Sequence, residues 1–280
     1  MLTKSSAVFL TLSLLAGGVP SPQQPTEQPQ VIHLQRFRKA LWKVHLTVNG
    51  VPGDFLLDTG GGVTLLAKPF APKVSCTYWG RNTGYNMFGK RGDDAHCDGV
   101  KLAAGDVALT PVNVGQIDFG DQFPGDPAPD GLLSLDAFDG KVITLDQAAA
   151  TLTIETPASL AERTKGATEV PVRMVRDCSA RCLNAFVAAE TPKGRTWLIL
   201  DSGAGGVSLI ARDHADVFGL DPAAKEQRLH LDLAPGVRVD SPVMIADMIM
   251  DGNLGQPFMS QYVLTLDIEH GRLWAKPAMK

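Results

Sequence analysis

The sequence predicts an all-β chain built from two homologous halves, and three observations predict it. Short apolar segments separated by Gly- and Pro-containing turns dominate the 280 residues. Phe55-Leu56-Leu57-Asp58-Thr59-Gly60 and Leu198-Ile199-Leu200-Asp201-Ser202-Gly203 share one pattern: an apolar run, hence a buried strand, that ends in an acid, a hydroxyl and a glycine. A second shared element follows each of them. Asp130-Gly131-Leu132-Leu133-Ser134 leads into Val142-Ile143-Thr144-Leu145-Asp146, and Asp251-Gly252-Asn253-Leu254-Gly255 leads into Val263-Leu264-Thr265-Leu266-Asp267. A two-element repeat in fixed order marks a duplicated domain.

Taken in order, residues 1–19 read as a secretory signal. Lys4 gives a positive start, Ala7 to Leu15 is a short apolar region, and Ala16-Gly17-Gly18 offers small residues for cleavage. The apolar run is too short to span a bilayer comfortably, and no other stretch approaches that length. Residues 20–30 are Pro/Gln-rich and read as a spacer. Residues 31–157 form the expected first lobe. There Trp42, Val44, Leu46 and Val48 alternate with polar residues as in a half-buried strand, Asn49-Gly50 signals a hairpin turn, and the return strand ends at Asp58. A short helix is expected near Leu135 to Phe138. Residues 158–169, within the stretch Thr156 to Gly166 and just beyond it, read as a linker. Residues 170–280 form the second lobe, with a strand at Phe186 to Ala189, a turn through Pro192-Lys193-Gly194, a strand from Trp197 to Asp201 and a helix at Ala211 to Phe218.

Composition narrows the function. The apolar fraction of 44% can build two cores, and the net charge of −4 comes without a basic stripe, which argues against a nucleic-acid partner. Secretion, or export to a periplasm, makes the four cysteines readable as disulfides. The expected pairs are Cys76–Cys97 and Cys178–Cys182, each inside one half, with the other two pairings left open by the sequence. A metal site is disfavoured, because His96 beside Cys97 is the only near neighbour and no ligand spacing repeats. Serine chemistry lacks a Gly-x-Ser-x-Gly elbow.

An acid at the end of a buried strand is costly unless something pairs or uses it. One Asp-Thr-Gly alone is an ordinary turn, since Asp bonds its own backbone and Gly accepts positive φ. Two such acids in equivalent places are each other's expected partners. Both copies also continue through Gly to a hydroxyl and two apolar residues, Thr64-Leu65-Leu66 and Ser208-Leu209-Ile210.

On these residues the chain resembles the pepsin and retropepsin aspartic proteases, most closely bacterial proteins that carry two short retropepsin-like halves in one polypeptide. The resemblance covers about residues 40–157 and 170–277. It implies two β-barrel lobes of acid-protease type related by a pseudo-twofold, with a peptide-binding cleft between them. It implies a catalytic pair, Asp58 and Asp201, no cofactor and no metal, a peptide or protein substrate, and a monomer, with a homodimer as the other arrangement. Thr59 and Ser202 would bond across the pseudo-twofold, and Gly60 and Gly203 would let the backbone approach the carboxylates.

The halves differ in length. More chain separates Asp58 from Asp130 than Asp201 from Asp251, and the excess contains Cys76 and Cys97. Retropepsins carry a glycine-rich hairpin, the flap, at about this distance after the Asp. The flap aromatic is expected among Tyr78, Trp79 and Tyr85, and a surface hairpin stapled for stability is the plainer reading. Two positions depart from the family. Gly61 stands where Ala or Ser is usual, and Ser134 replaces the Gly that Gly255 keeps, so Ser134 is expected to crowd the catalytic loop. Neither Gly61 nor Ala204 can donate a side-chain hydrogen bond to its acid, which leads to an expected activity optimum in weak acid. A catalytically weak peptide-binding protein with the same fold is the alternative.

Overall fold

The computed structural model describes residues 28–111, 113–178 and 180–279. The expected signal at 1–19 and most of the spacer lie outside the described residues. Gln30, the last residue assigned to the spacer, already opens the strand Gln30–His33.

The described residues are mostly β and form three sheets. The first holds ten strands, all between Gln35 and Leu133, and the second holds seven, between Val172 and Leu254. The centre of each follows one plan. Val51–Leu57 runs parallel to Gly131–Leu133, which runs antiparallel to Leu65–Ala67. Likewise Gly194–Leu200 runs parallel to Gly252–Leu254, which runs antiparallel to Ser208–Ala211. Such central strands are buried on both faces, which is why they read as unbroken apolar runs rather than alternations. Phe55, Leu57 and Leu133 in one half and Leu198, Leu200 and Leu254 in the other join a single apolar core. Burying each such side chain stabilises the fold by roughly 1.5–3 kcal/mol.

The third sheet draws on both halves. Its order is Gln30–His33, Thr151–Ile154, Val142–Asp146, Tyr262–Asp267, Arg272–Pro277 and Thr168–Val170. At its centre the repeated Thr-Leu-Asp segments pair with each other antiparallel. Thr144 lies opposite Thr265, and their buried hydroxyls bond at 2.9 Å. Asp146 and Asp267 end their strands and accept backbone N–H groups of the following turns.

Local expectations fare unevenly. Asn49 and Gly50 both take positive φ between Leu41–Val48 and Val51–Leu57, the geometry that a two-residue hairpin with Asn-Gly demands. The helices expected at 211–218 and 135–138 are 3-10 segments, Arg212–Phe218 and Leu135–Phe138, and neither has a side-chain N-cap. The stretch read as a linker carries the helix Pro157–Arg163. Thr156 and Ser159 close a capping box at its start with Pro157 at the first turn, a local stop-and-start signal that the absence of any buried residue obscured. Both local disulfides, Cys76–Cys97 and Cys178–Cys182, are present. No helix among the described residues is long and apolar enough to cross a membrane.

Candidate active site

Two strands end where the two acids begin. The Asp58 N–H donates to Leu133 O at 2.9 Å and the Asp201 N–H to Leu254 O at 3.1 Å, so each acid is pinned by the segment packed behind it. The tight turns that follow send the Gly61 N–H to Asp58 O and the Ala204 N–H to Asp201 O. Asp130 and Asp251 stabilise the same strands from the far side, accepting from the backbone N–H of Asp54 and of Trp197. Asp251 also pairs with half-exposed His214.

The hydroxyl residues then lock the two loops. The Thr59 N–H donates to Ser202 Oγ, and the Ser202 N–H donates to Thr59 Oγ1, both at 3.0 Å. Each hydroxyl in turn donates to the opposite strand: Thr59 Oγ1 to Leu200 O at 2.7 Å and Ser202 Oγ to Leu57 O at 2.8 Å. Every donor and acceptor in this buried exchange is used, which burial requires.

This lock brings the carboxyls together. A Cβ on Gly60 would lie 2.8 Å from Asp201 Cγ, and one on Gly203 would lie 2.6 Å from Asp58 Cγ. Only glycine allows such an approach. Each glycine thus lies against the opposite carboxyl, and each carboxyl acts on the other's protonation. Asp58 is half-buried, whereas Asp201 is buried. Burial pushes the Asp58 carboxyl well above the usual carboxylate range, and the neighbouring charge of Asp201 pushes it further. Burial raises Asp201 too, against hydrogen bonds from Asn253, Asp58, Gly203 and Ala204 that favour its ionised form.

Asp58 Oδ1 accepts from the Gly60 N–H at 3.0 Å. Asp201 Oδ1 accepts from the Gly203 and Ala204 N–H groups at 2.9 and 3.1 Å. Asp201 Oδ2 accepts from Asn253 Nδ2 at 2.7 Å. Gly61 and Ala204 offer no side-chain donor, but Asp201 receives one from Asn253. The donor comes from the strand behind, at a position that reads as one residue of an apolar segment. Its signal was available: Asn253 is polar where the repeat has Leu132.

The close approaches around the two loops differ between the halves. A Cβ on Gly61 would lie 2.6 Å from Leu132 Cδ2, and one on Gly255 would lie 3.0 Å from Ala204 Cβ. Gly255 also lies against backbone, because the same Cβ would be 2.6 Å from Ala204 O and 3.0 Å from Val207 O. Ser134 is buried, and its N–H donates to Thr64 Oγ1 at 3.2 Å, the counterpart of Gly255 donating to Ser208 Oγ.

The hairpin Trp79–Tyr85/Arg91–Asp98 occupies the excess length of the first half, and Cys76–Cys97 closes its base. Tyr78 precedes it and packs against the core, and Trp79 sits at its base, donating Nε1–H to Asp98 and meeting His96 edge-on. Tyr85 is exposed near the tip. Sequence reasoning missed Phe88, exposed in the tip turn that Asn86 organises by accepting from the Phe88 and Lys90 N–H groups. The tip reaches the second half, where the Ile249 N–H donates to Met87 O at 3.0 Å. A second link runs the other way. The loop closed by Cys178–Cys182 sends the Leu183 N–H to Gly62 O at 2.7 Å and Arg181 Nη1 to Asn113 Oδ1 at 3.2 Å.

Among the described residues, Asp177, Cys178 and Cys182 bring metal-ligand atoms together, but both sulfurs are tied in the disulfide. No protein-family model matches the chain, and no curated protein matches it in sequence.

Proposed function

We propose that the chain is an aspartic endopeptidase of the pepsin and retropepsin type, hydrolysing peptide bonds with a water activated between Asp58 and Asp201. The observation that carries this reading is the meeting of two carboxyls from duplicated loops, locked by the Thr59–Ser202 exchange. In this reading the two halves are acid-protease lobes related by a pseudo-twofold that passes between Asp58 and Asp201 and between Thr144 and Thr265. The hairpin from the first lobe is the flap over the cleft, with its tip held by Ile249. One chain supplies both acids, so the site is complete in a monomer. The disulfides fit a secreted or periplasmic protein.

Two close carboxyls cannot both ionise cheaply, so the pair holds one proton. The ionised member takes a proton from water while the water oxygen bonds to the substrate carbonyl carbon. The protonated member gives its proton to the carbonyl oxygen. A neutral gem-diol results. Its collapse returns a hydroxyl proton to one carboxylate, and the other carboxyl protonates the amide nitrogen as the C–N bond breaks. The pair ends with one proton, as it began. Asp58, raised by burial and without a side-chain donor, keeps that proton into weak acid, where the activity optimum is expected.

The test is digestion of a denatured protein mixture at acid to neutral pH with and without pepstatin. Pepstatin-sensitive internal cleavage is the expected result. A protein that binds pepstatin but releases no fragments is a peptide-binding protein instead.

A further inference from the structure

The two halves treat their acids unequally, and one residue accounts for it. Leu132 lies opposite Leu56 and Leu65 in the first half. Asn253 lies opposite Ile199 and Leu209, the equivalent places in the second. It is fully buried. Its Oδ1 accepts from the Leu209 N–H at 2.7 Å. A backbone N–H can only donate, so this bond fixes which end of the amide is oxygen and aims Nδ2 at Asp201 Oδ2, 2.7 Å away. A buried amide on a strand that could carry leucine is costly unless both ends are used, and here both are.

Asp201 therefore receives two backbone donors and one side-chain donor. Asp58 receives backbone donors alone, because Leu132 offers only a methyl group beside Gly61. Donors aimed at a carboxylate favour its charged form. We propose that Asn253 is a positioning residue that keeps Asp201 the ionised member of the pair and leaves the shared proton on Asp58. Asp201 is then the base toward water and Asp58 the acid toward the carbonyl oxygen. Other charged groups around the strand are engaged elsewhere. Asp251, just before Asn253's strand, turns to Thr196 and His214, and Asp136, behind the first loop, accepts from Thr64 Oγ1. Asp58 is the charged group that faces Asp201.

The base and acid roles rest on the peptidase reading, but the protonation pattern can be read without turnover. Carboxyl-carbon NMR of the wild-type protein, with Asp58 and Asp201 signals assigned through Asp58→Asn and Asp201→Asn, is expected to find Asp201 ionised and Asp58 protonated at about pH 5. In Asn253→Ser and Asn253→Leu the lower titration step should rise by about one to two pH units. The inference is overturned if Asp58 is the ionised member in the wild type, or if the lower step stays put in a folded Asn253 variant. Should neither variant fold, the wild-type assignment alone decides. An inactive protein with Asp201 ionised would refute the peptidase reading and leave this one standing.

Discussion

Thr59 and Ser202 each donate a backbone N–H to the other's hydroxyl oxygen at 3.0 Å, although 143 residues separate them in the chain. Their hydroxyls then donate onward to Leu200 O and Leu57 O, the carbonyls that precede the opposite acid. The carboxyl pair is thus held by an exchange in which each half completes the other.

Removing either hydroxyl leaves a buried N–H and a buried carbonyl without partners. Thr59→Ala or Ser202→Ala should each cost about 2–4 kcal/mol, read from urea unfolding. Thr59→Ser, which keeps the oxygen, should lose much less. A Thr59→Ala cost below about 1 kcal/mol would mean that the exchange does not hold the loops.

Asp136 gives a pH signature of its own. It is buried behind the first loop and accepts from Thr64 Oγ1 at 2.7 Å. Burial raises its pKa to about 6. Its folded pKa exceeds the unfolded one, so the folded state binds the proton more tightly. The stability it contributes is fully present below the unfolded value and lost as pH rises through about 6. The loss is on the order of 3 kcal/mol. Asp54, Asp139 and Glu169, whose pKa values are lowered mainly by hydrogen bonds to His45, Arg176 and Arg272 respectively, act in the opposite direction at lower pH. Comparison with Asp136→Asn isolates the effect: the difference in stability between the two proteins should change between about pH 4 and 6. A constant difference would contradict the assignment.

The hairpin should be a separable device. Replacing Cys76 and Cys97 by Ser releases its base while the Ile249–Met87 bond still holds its tip. The closed loop is local, so the stability loss should be roughly 3 kcal/mol at most. KM for a peptide should rise more than kcat falls, and hydrogen exchange at 86–90 should quicken. An unchanged KM would make the hairpin a surface ornament.

Much of the site was legible in the sequence because it was written twice. The acids, hydroxyls and glycines recur at the ends of buried strands, and burial makes a lone acid there costly. The local disulfides are the pairs that cysteine placement within each half favoured, among three that the sequence left open. What could not be read was what depends on a side chain's partner in space. Asn253 reads as an interruption of an apolar run until Asp201 lies beside it. Gly61 reads as a departure until Leu132 is found against it. Phe88 reached the hairpin tip only once the turn around Asn86 was in place, and the helix Pro157–Arg163 depends on a cap rather than on an apolar face.

The most direct measurement is mass-spectrometric analysis of a peptide library incubated with the wild-type protein, with Asp58→Asn and with Asp201→Asn, all three checked for folding by circular dichroism. The account predicts cleavage at internal bonds by the wild type and none by either folded variant. Cleavage by either variant within a few-fold of the wild-type rate, or no cleavage by the wild type anywhere from acid to neutral pH, would contradict it.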